Sequence, residues 1–225
     1  MRAVEIIPNL HRVPGVIGAA YLITDGDGVT LIDAGMRGSH RRILGTLRRL
    51  GYPPGALRRI LITHADGDHV GAAAALLAAT GAAVYASAAE AAALATGQPS
   101  RDIILHGGWR LLYSLVRPLL SVPPLAGAHI LREGDHLPAL GGLVVIATPG
   151  HTPGHLSFYA PTAGVLFAGD SIAFRNGRVR RPFTLATWNN DLALASLHRQ
   201  AALRPTIVCL GHGPVVRNAA DKFPL

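Results

Sequence analysis

The stretch Thr63-His64-Ala65-Asp66-Gly67-Asp68-His69 decides the reading of this chain. His64, Asp66, Asp68 and His69 carry imidazole or carboxylate groups, the donors that take metal ions. An apolar run, Arg59-Ile60-Leu61-Ile62, precedes the stretch, and a helical run over residues 70–80 follows it. The cluster therefore falls on a strand-to-helix turn, where α/β folds collect chemistry. The plain alternative is a polar turn with two solvated histidines; the histidines further along the chain weigh against it.

Upstream, residues 4–7, 20–24 and 29–33 read as a meander of strands, with a tight turn at Asp25-Gly26-Asp27-Gly28. Asp33 closes the third strand and reads either as a turn carboxylate or as a support for a metal-bound histidine. Ser39 is expected to cap a helix through Leu50, with Ile43, Leu44, Leu47 and Leu50 on one face and Arg41, Arg42, Arg48 and Arg49 on the solvated face. Downstream come a strand at 82–85 and a short Ala-rich helix at 88–94. Residues 97–126 then break the rhythm. That segment is apolar but holds Arg110, Arg117 and Pro118, which argue against a membrane span. It reads as a helical insertion that packs as core, as a lid or as a homodimer face. Strands at 128–131, 143–147, 156–159, 165–168 and 207–210 and a helix at 192–203 complete the chain. Nothing linker-like divides it, so a single domain over 1–225 is expected.

The length suits one α/β domain with a sizeable core. The +8 net charge invites a nucleic-acid reading, but arginine supplies all the basic residues except Lys222. No basic run is interleaved with aromatics, so a compositional bias explains the charge better and no nucleic acid is expected. The N-terminus lacks a long apolar stretch of the signal-peptide kind. Cys209, the single cysteine, lies in the apolar run Ile207-Val208-Cys209-Leu210. It reads as a buried thiol in a reducing cytoplasm.

Three further ligand types sit at strand ends in the second half. His151 lies in Thr148-Pro149-Gly150-His151-Thr152-Pro153-Gly154-His155, Asp170 follows Phe167-Ala168-Gly169, and His212 stands in Gly211-His212-Gly213. Flanking glycines let the backbone turn sharply and the side chains face a shared pocket. Seven candidates (His64, Asp66, Asp68, His69, His151, Asp170 and His212) suit two metal ions better than one, with Asp170 placed to bridge them.

The H-x-D-x-D-H run, the later TPGH, the AGD and the terminal GHG, in that order, resemble the metallo-β-lactamase fold superfamily over nearly the whole chain. The resemblance implies an α/β fold, an αββα four-layer sandwich with the site at the rim between two sheets. By position it implies that His64, Asp66 and His151 hold a first metal, Asp68, His69 and His212 a second, and that Asp170 bridges. His155 has no ligand place in that pattern and is expected to support a ligand or to face substrate. The commoner motif has histidine where Asp66 stands. The carboxylate there resembles a diiron branch and a set of small hydrolase-like members. It makes the site less positive, so the expected cofactors are two divalent ions, zinc first, with iron or manganese close behind.

The implied chemistry is hydrolysis of an ester, thioester or lactone by a metal-bound hydroxide, with Asp68 orienting the water or shuttling its proton. No G-x-S-x-G elbow offers a rival nucleophile. Glyoxalase-like thioesterases carry an extra C-terminal helical region, and acyl-homoserine lactonases a tyrosine where Ala173 stands, which weakens both assignments. The substrate is expected to be a small molecule with a lipophilic or an anionic part, the latter met by Arg175, Arg178, Arg180 and Arg181. The alternatives are a diiron redox or dioxygen-sensing protein and a non-catalytic metal-binding module.

Overall fold

The computed structural model describes residues 3–25, 27–101 and 122–224. The helical insertion expected over 97–126 falls mostly on residues 102–121, which lie outside the described residues. Two sheets form the middle of the molecule. In the first, β1 (Val4–Ile7), β2 (Leu10–Arg12), β3 (Tyr21–Ile23) and β4 (Val29–Ile32) run as an antiparallel meander. Then β5 (Leu57–Leu61), β6 (Ala83–Ala86) and β7 (His129–Ile130) continue it in parallel. The second sheet begins with β8 (His136–Leu137), β9 (Leu143–Ala147), β10 (Leu156–Ala160) and β11 (Val165–Gly169), which are antiparallel. After a separate hairpin, β12 (Ala173–Arg175) and β13 (Arg178–Arg180), the strand β14 (Ile207–Leu210) joins β11 in parallel. Its neighbour β15 (Val216–Arg217) closes the edge.

Helices cover the outer face of each sheet. On the first lie α1 (His40–Arg49), the single turn α2 (Gly67–Val70), α3 (Ala73–Thr80) and α4 (Ala88–Thr96); on the second lies α5 (Asn190–Ala202). The apolar runs explain the layering. Side chains alternate along a strand, so a strand buried on both faces must be apolar throughout. In β4, Leu31 packs under the helices and Ile32 between the sheets; in β5, Ile60 and Leu61 divide the same way. In β11 and β14, Phe167 and Cys209 face the space between the sheets, while Leu166 and Val208 face α5. These residues form an αββα sandwich. Cys209 is buried there, which pushes its thiol well above the usual range.

Several local expectations are corrected. Ser39 stands at the N-cap of α1 but its side chain makes no capping bond; it is itself helical, at φ −63° and ψ −21°. The helical run over 70–80 is broken into α2 and α3 after Gly71, at Ala72 with φ −105° and ψ 0°; Gly71 itself is helical and packs against the backbone at Met36 and Arg37. The strands β2, β8, β12, β13 and β15 were not expected: they are two or three residues long, and all five contain His or Arg where a strand pattern would show apolar residues. The arginines of α1 are exposed, as expected.

Candidate metal centre

The chain turns outward from the carboxyl ends of β4, β5, β9, β11 and β14 at one rim of the sandwich, and these turns carry the ligand-type residues. His64 and Asp66 follow β5, Asp68 and His69 lie in α2, His151 follows β9, Asp170 follows β11 and His212 follows β14. Main-chain bonds sew the two sheets together beneath them. Leu156 N–H donates to Thr63 O at 2.8 Å, and Ala19 N–H donates to Gly211 O at 2.7 Å. The buried Tyr21 hydroxyl donates to Leu210 O at 2.6 Å.

All seven expected residues converge. The ligand atoms of His64, Asp66 and His151 lie within 4.8 Å of one another, as do those of Asp68, His69 and His212 and those of His64, His69 and Asp170. In the first triad, Asp66 Oδ2 is 3.6 Å from His64 Nε2 and 3.2 Å from His151 Nε2. In the second, Asp68 Oδ2 is 3.0 Å from His212 Nε2 and 3.8 Å from His69 Nε2. Asp170 lies between them, with Oδ1 3.4 Å from His69 and Oδ2 3.7 Å from His151 and 3.4 Å from His212.

The hydrogen bonds behind the histidines fix which nitrogen faces the pocket. Thr63 Oγ1 donates to Asp33 Oδ2 at 2.8 Å, so it accepts from His64 Nδ1–H at 2.9 Å. His69 Nδ1–H donates to the same Asp33 oxygen at 2.8 Å. Both rings therefore turn Nε2 inward, and neither buried Nε2 has a hydrogen-bond partner among the described residues; Asp170 Oδ1 has none either. Buried polar atoms are nearly always satisfied, so orphaned imidazole and carboxylate atoms aimed at one point fit a cation. Asp33 adopts a left-handed backbone at φ 56° to reach Thr63 N–H, Thr63 Oγ1 and His69 together. The Asp33 carboxylate thus bonds both the His69 ring and the Thr63 turn.

His155 supports as well and does not face the cleft: it is buried, with its ring stacked on His64 at 5.0 Å between centroids. Its Nε2 accepts the Asp170 N–H at 3.1 Å, so its proton sits on Nδ1, 2.8 Å from Thr148 Oγ1. Two glycines admit these contacts. Gly169, at φ 52°, has no room for a Cβ beside Thr63 and His155, and a Cβ on Gly211 would run into the Asp170 carboxylate. Gly211 is thus required by close approach, where the sequence suggested a sharp turn.

Burial opposes charge throughout the pocket, and specific partners decide the outcome. The His151 hydrogen bond and the nearby His64 ring, helped by Arg101, outweigh burial at Asp66 and hold its carboxyl well below the usual range. Asp68, paired to His212, and Asp170, beside His69, are lowered against burial in the same way. Asp170 and Asp33 raise His69 well above an ordinary imidazole despite its burial. Asp68 raises His212. Burial, reinforced by neighbouring His64 and His151, keeps His155 well below the usual value and so neutral.

Arg175 bonds none of the seven candidate ligands. Its guanidinium lies over the Phe183 ring, 4.3 Å from the centroid, and none of its polar contacts among the described residues involves a ligand-type residue. Two residues that sequence reasoning passed over hold the centre together. Glu90, fully buried on α4, accepts from Ala65 N–H at 2.8 Å, Thr152 Oγ1 at 2.7 Å and Gly154 N–H at 3.0 Å. It thereby ties the His64 turn to the His151 turn. Its sequence signal, Ser87 followed three residues later by Glu90, reads as a helix capping box. Ser87 does cap α4, but the glutamate is used across the loops instead. The other is Arg101, whose guanidinium grips both oxygens of Asp66 at 2.8 and 2.7 Å.

Fold and site together define a member of a known class. A model of the metallo-beta-lactamase superfamily matches residues 13–212, and the chain belongs to that superfamily. It is 32% identical over 215 residues to the uncharacterized protein YobT of Bacillus subtilis, covering 90% of this chain and 86% of that one. It is 37% identical over 174 residues to a hydroxyacylglutathione hydrolase of Fuscovulum blasticum, covering 76% of this chain; the chain spans about half, 52%, of that relative's length. Among solved structures, a metallo-beta-lactamase of Cronobacter sakazakii with a HARLDQ motif matches with a TM-score of 0.72 at 27% identity. The match covers 94% of this chain and 80% of that one. Read letter by letter, that motif has arginine and glutamine where His64–His69 here has Asp66 and His69.

Proposed function

We propose that the chain is a metal-dependent hydrolase acting on a carbonyl ester-type bond, a thioester first, with two divalent ions, zinc first. His64, Asp66 and His151 would hold one ion, Asp68, His69 and His212 the other, and Asp170 would bridge. The observation that carries this is the pair of His/Asp triads sharing Asp170, with the inward Nε2 atoms of His64 and His69 buried and unpartnered. Bound there, the ions would acidify a water and polarise the substrate carbonyl.

The protein groups divide the remaining work. Asp33, Thr63 and His155 fix ring orientation and the Asp170 main chain, so no ligand has to move when substrate arrives. Asp68 is the most open of the three carboxylates, 30% exposed against 20% for Asp66 and 17% for Asp170. Water enters on its side, and Asp68 orients it and takes its proton, the catalytic role of this residue. Exposed Phe183 and Leu185 precede exposed Trp188 in the chain, and Trp188 N–H donates to His151 O at 3.1 Å. They support a substrate with an apolar portion.

The thioester preference rests on the hydroxyacylglutathione hydrolase relatives. A panel of hydroxyacylglutathione thioesters, simple esters and lactones offered to zinc-loaded protein tests the reading. Thioester turnover above the others, abolished in Asp68→Ala while the first ion is retained, is the expected result. Loaded protein that hydrolyses none of the three classes contradicts it.

A further inference from the structure

The least explained contact in the centre is the one between Arg101 and Asp66. A ligand carboxylate with both oxygens held by one guanidinium is a charge-neutral unit, and the contact is sheltered: the Arg101 side chain is 8% exposed. Oδ1 is used by the arginine alone, whereas Oδ2 also faces His64 and His151. An oxygen with two lone pairs can accept one guanidinium N–H and still offer the second to an ion.

Charge gives this arrangement a purpose. Two divalent ions set against Asp66, Asp68 and Asp170 leave one net positive charge; a histidine in place of Asp66 would leave two. The guanidinium restores the second. We propose that Arg101 is a positioning residue that converts Asp66 into a neutral ligand unit, the electrostatic counterpart of an imidazole. It holds Asp66 Oδ2 toward His64 and His151 and limits how tightly the first position binds its ion. The inference rests on the metal-centre reading above and concerns the first triad only. The second has no guanidinium on its carboxylate among the described residues: Asp68 pairs with His212 and His69.

The test is a titration of zinc into metal-free protein against a chromophoric chelator, which resolves a tighter and a weaker ion without reference to turnover. Arg101→Gln removes the charge and keeps hydrogen-bonding capacity; Arg101→Lys keeps the charge and loses the fork. Removing a unit charge next to a divalent ion in a partly buried site should tighten the Asp66-dependent ion by at least about tenfold in Arg101→Gln. Arg101→Lys should stay within about threefold of the parent, which also answers a failure of the glutamine variant to fold. The Asp68-side ion should be unchanged in both. Unchanged or weaker binding of the first ion in Arg101→Gln, or equal tightening in both variants, overturns the proposal. A parent protein that takes up no zinc overturns the metal-centre reading instead.

Discussion

The two triads use the same donor types but sit in different surroundings. His64, Asp66 and His151 are enclosed: both histidine side chains are at most 5% exposed, and Arg101 closes over the carboxylate. Asp68, His69 and His212 are half open, with the His212 side chain 51% exposed and only His69 deeply buried. Enclosure favours a fixed geometry, openness favours exchange of water and substrate, and Asp170 couples the two. In this account the first triad anchors and the second works.

That contrast can be broken in four ways, in descending order of effect. Asp170→Ala removes the shared carboxylate and should abolish turnover and weaken binding at both positions, beyond what losing a supporting residue costs; elemental analysis and kinetics read both. Asp68→Ala should abolish turnover while the first ion stays, whereas Asp66→Ala should lose the first ion and keep the second. A mirror-image result would reverse the assigned roles. Glu90→Gln, which sets an amide N–H against the N–H groups of Ala65 or Gly154, should weaken zinc binding at the first triad by about 10- to 100-fold, the cost of losing an outer support.

The smallest effect is one of pH. In metal-free protein His69 and His212 have raised values. Their stabilisation is present below about pH 6.5, the unfolded imidazole value, and is lost as pH rises through the folded values. Asp66, Asp68 and Asp170 are lowered; theirs is present above about pH 4 and is lost as pH falls through the folded values. The melting temperature of metal-free protein should therefore decline from mildly acid to alkaline pH. Zinc-loaded protein should not show that decline, because the metal takes the deprotonated imidazole and its binding releases protons. Parallel melting curves across that range would show that His69 is not ion-linked.

The seven candidate ligands were legible because each is announced locally. His64 to His69 is dense beyond what a capping turn needs, and His151, Asp170 and His212 each follow an apolar strand and touch a glycine. Individual strands were legible for a similar local reason, in apolar runs such as 207–210, whereas the αββα arrangement came from the family resemblance of the motif set. What was not legible depends on contacts that sequence spacing does not encode. Arg101 meets Asp66 from 35 residues away, and Glu90 meets Thr152 from 62. Glu90 even carried a misleading signal, a capping box whose carboxylate is used elsewhere. Arg175 illustrates the same limit: it is close in sequence to Asp170, and the β12–β13 hairpin lays its guanidinium on Phe183.

The most direct test of the central claim is the number of metal ions per chain, counted by elemental analysis in the parent protein and in Asp66→Ala after identical dialysis. About two zinc ions per chain in the parent, falling to about one in the variant, is the predicted result. No bound metal in the parent, or both ions kept at unchanged affinity when Asp66 is removed, would contradict it.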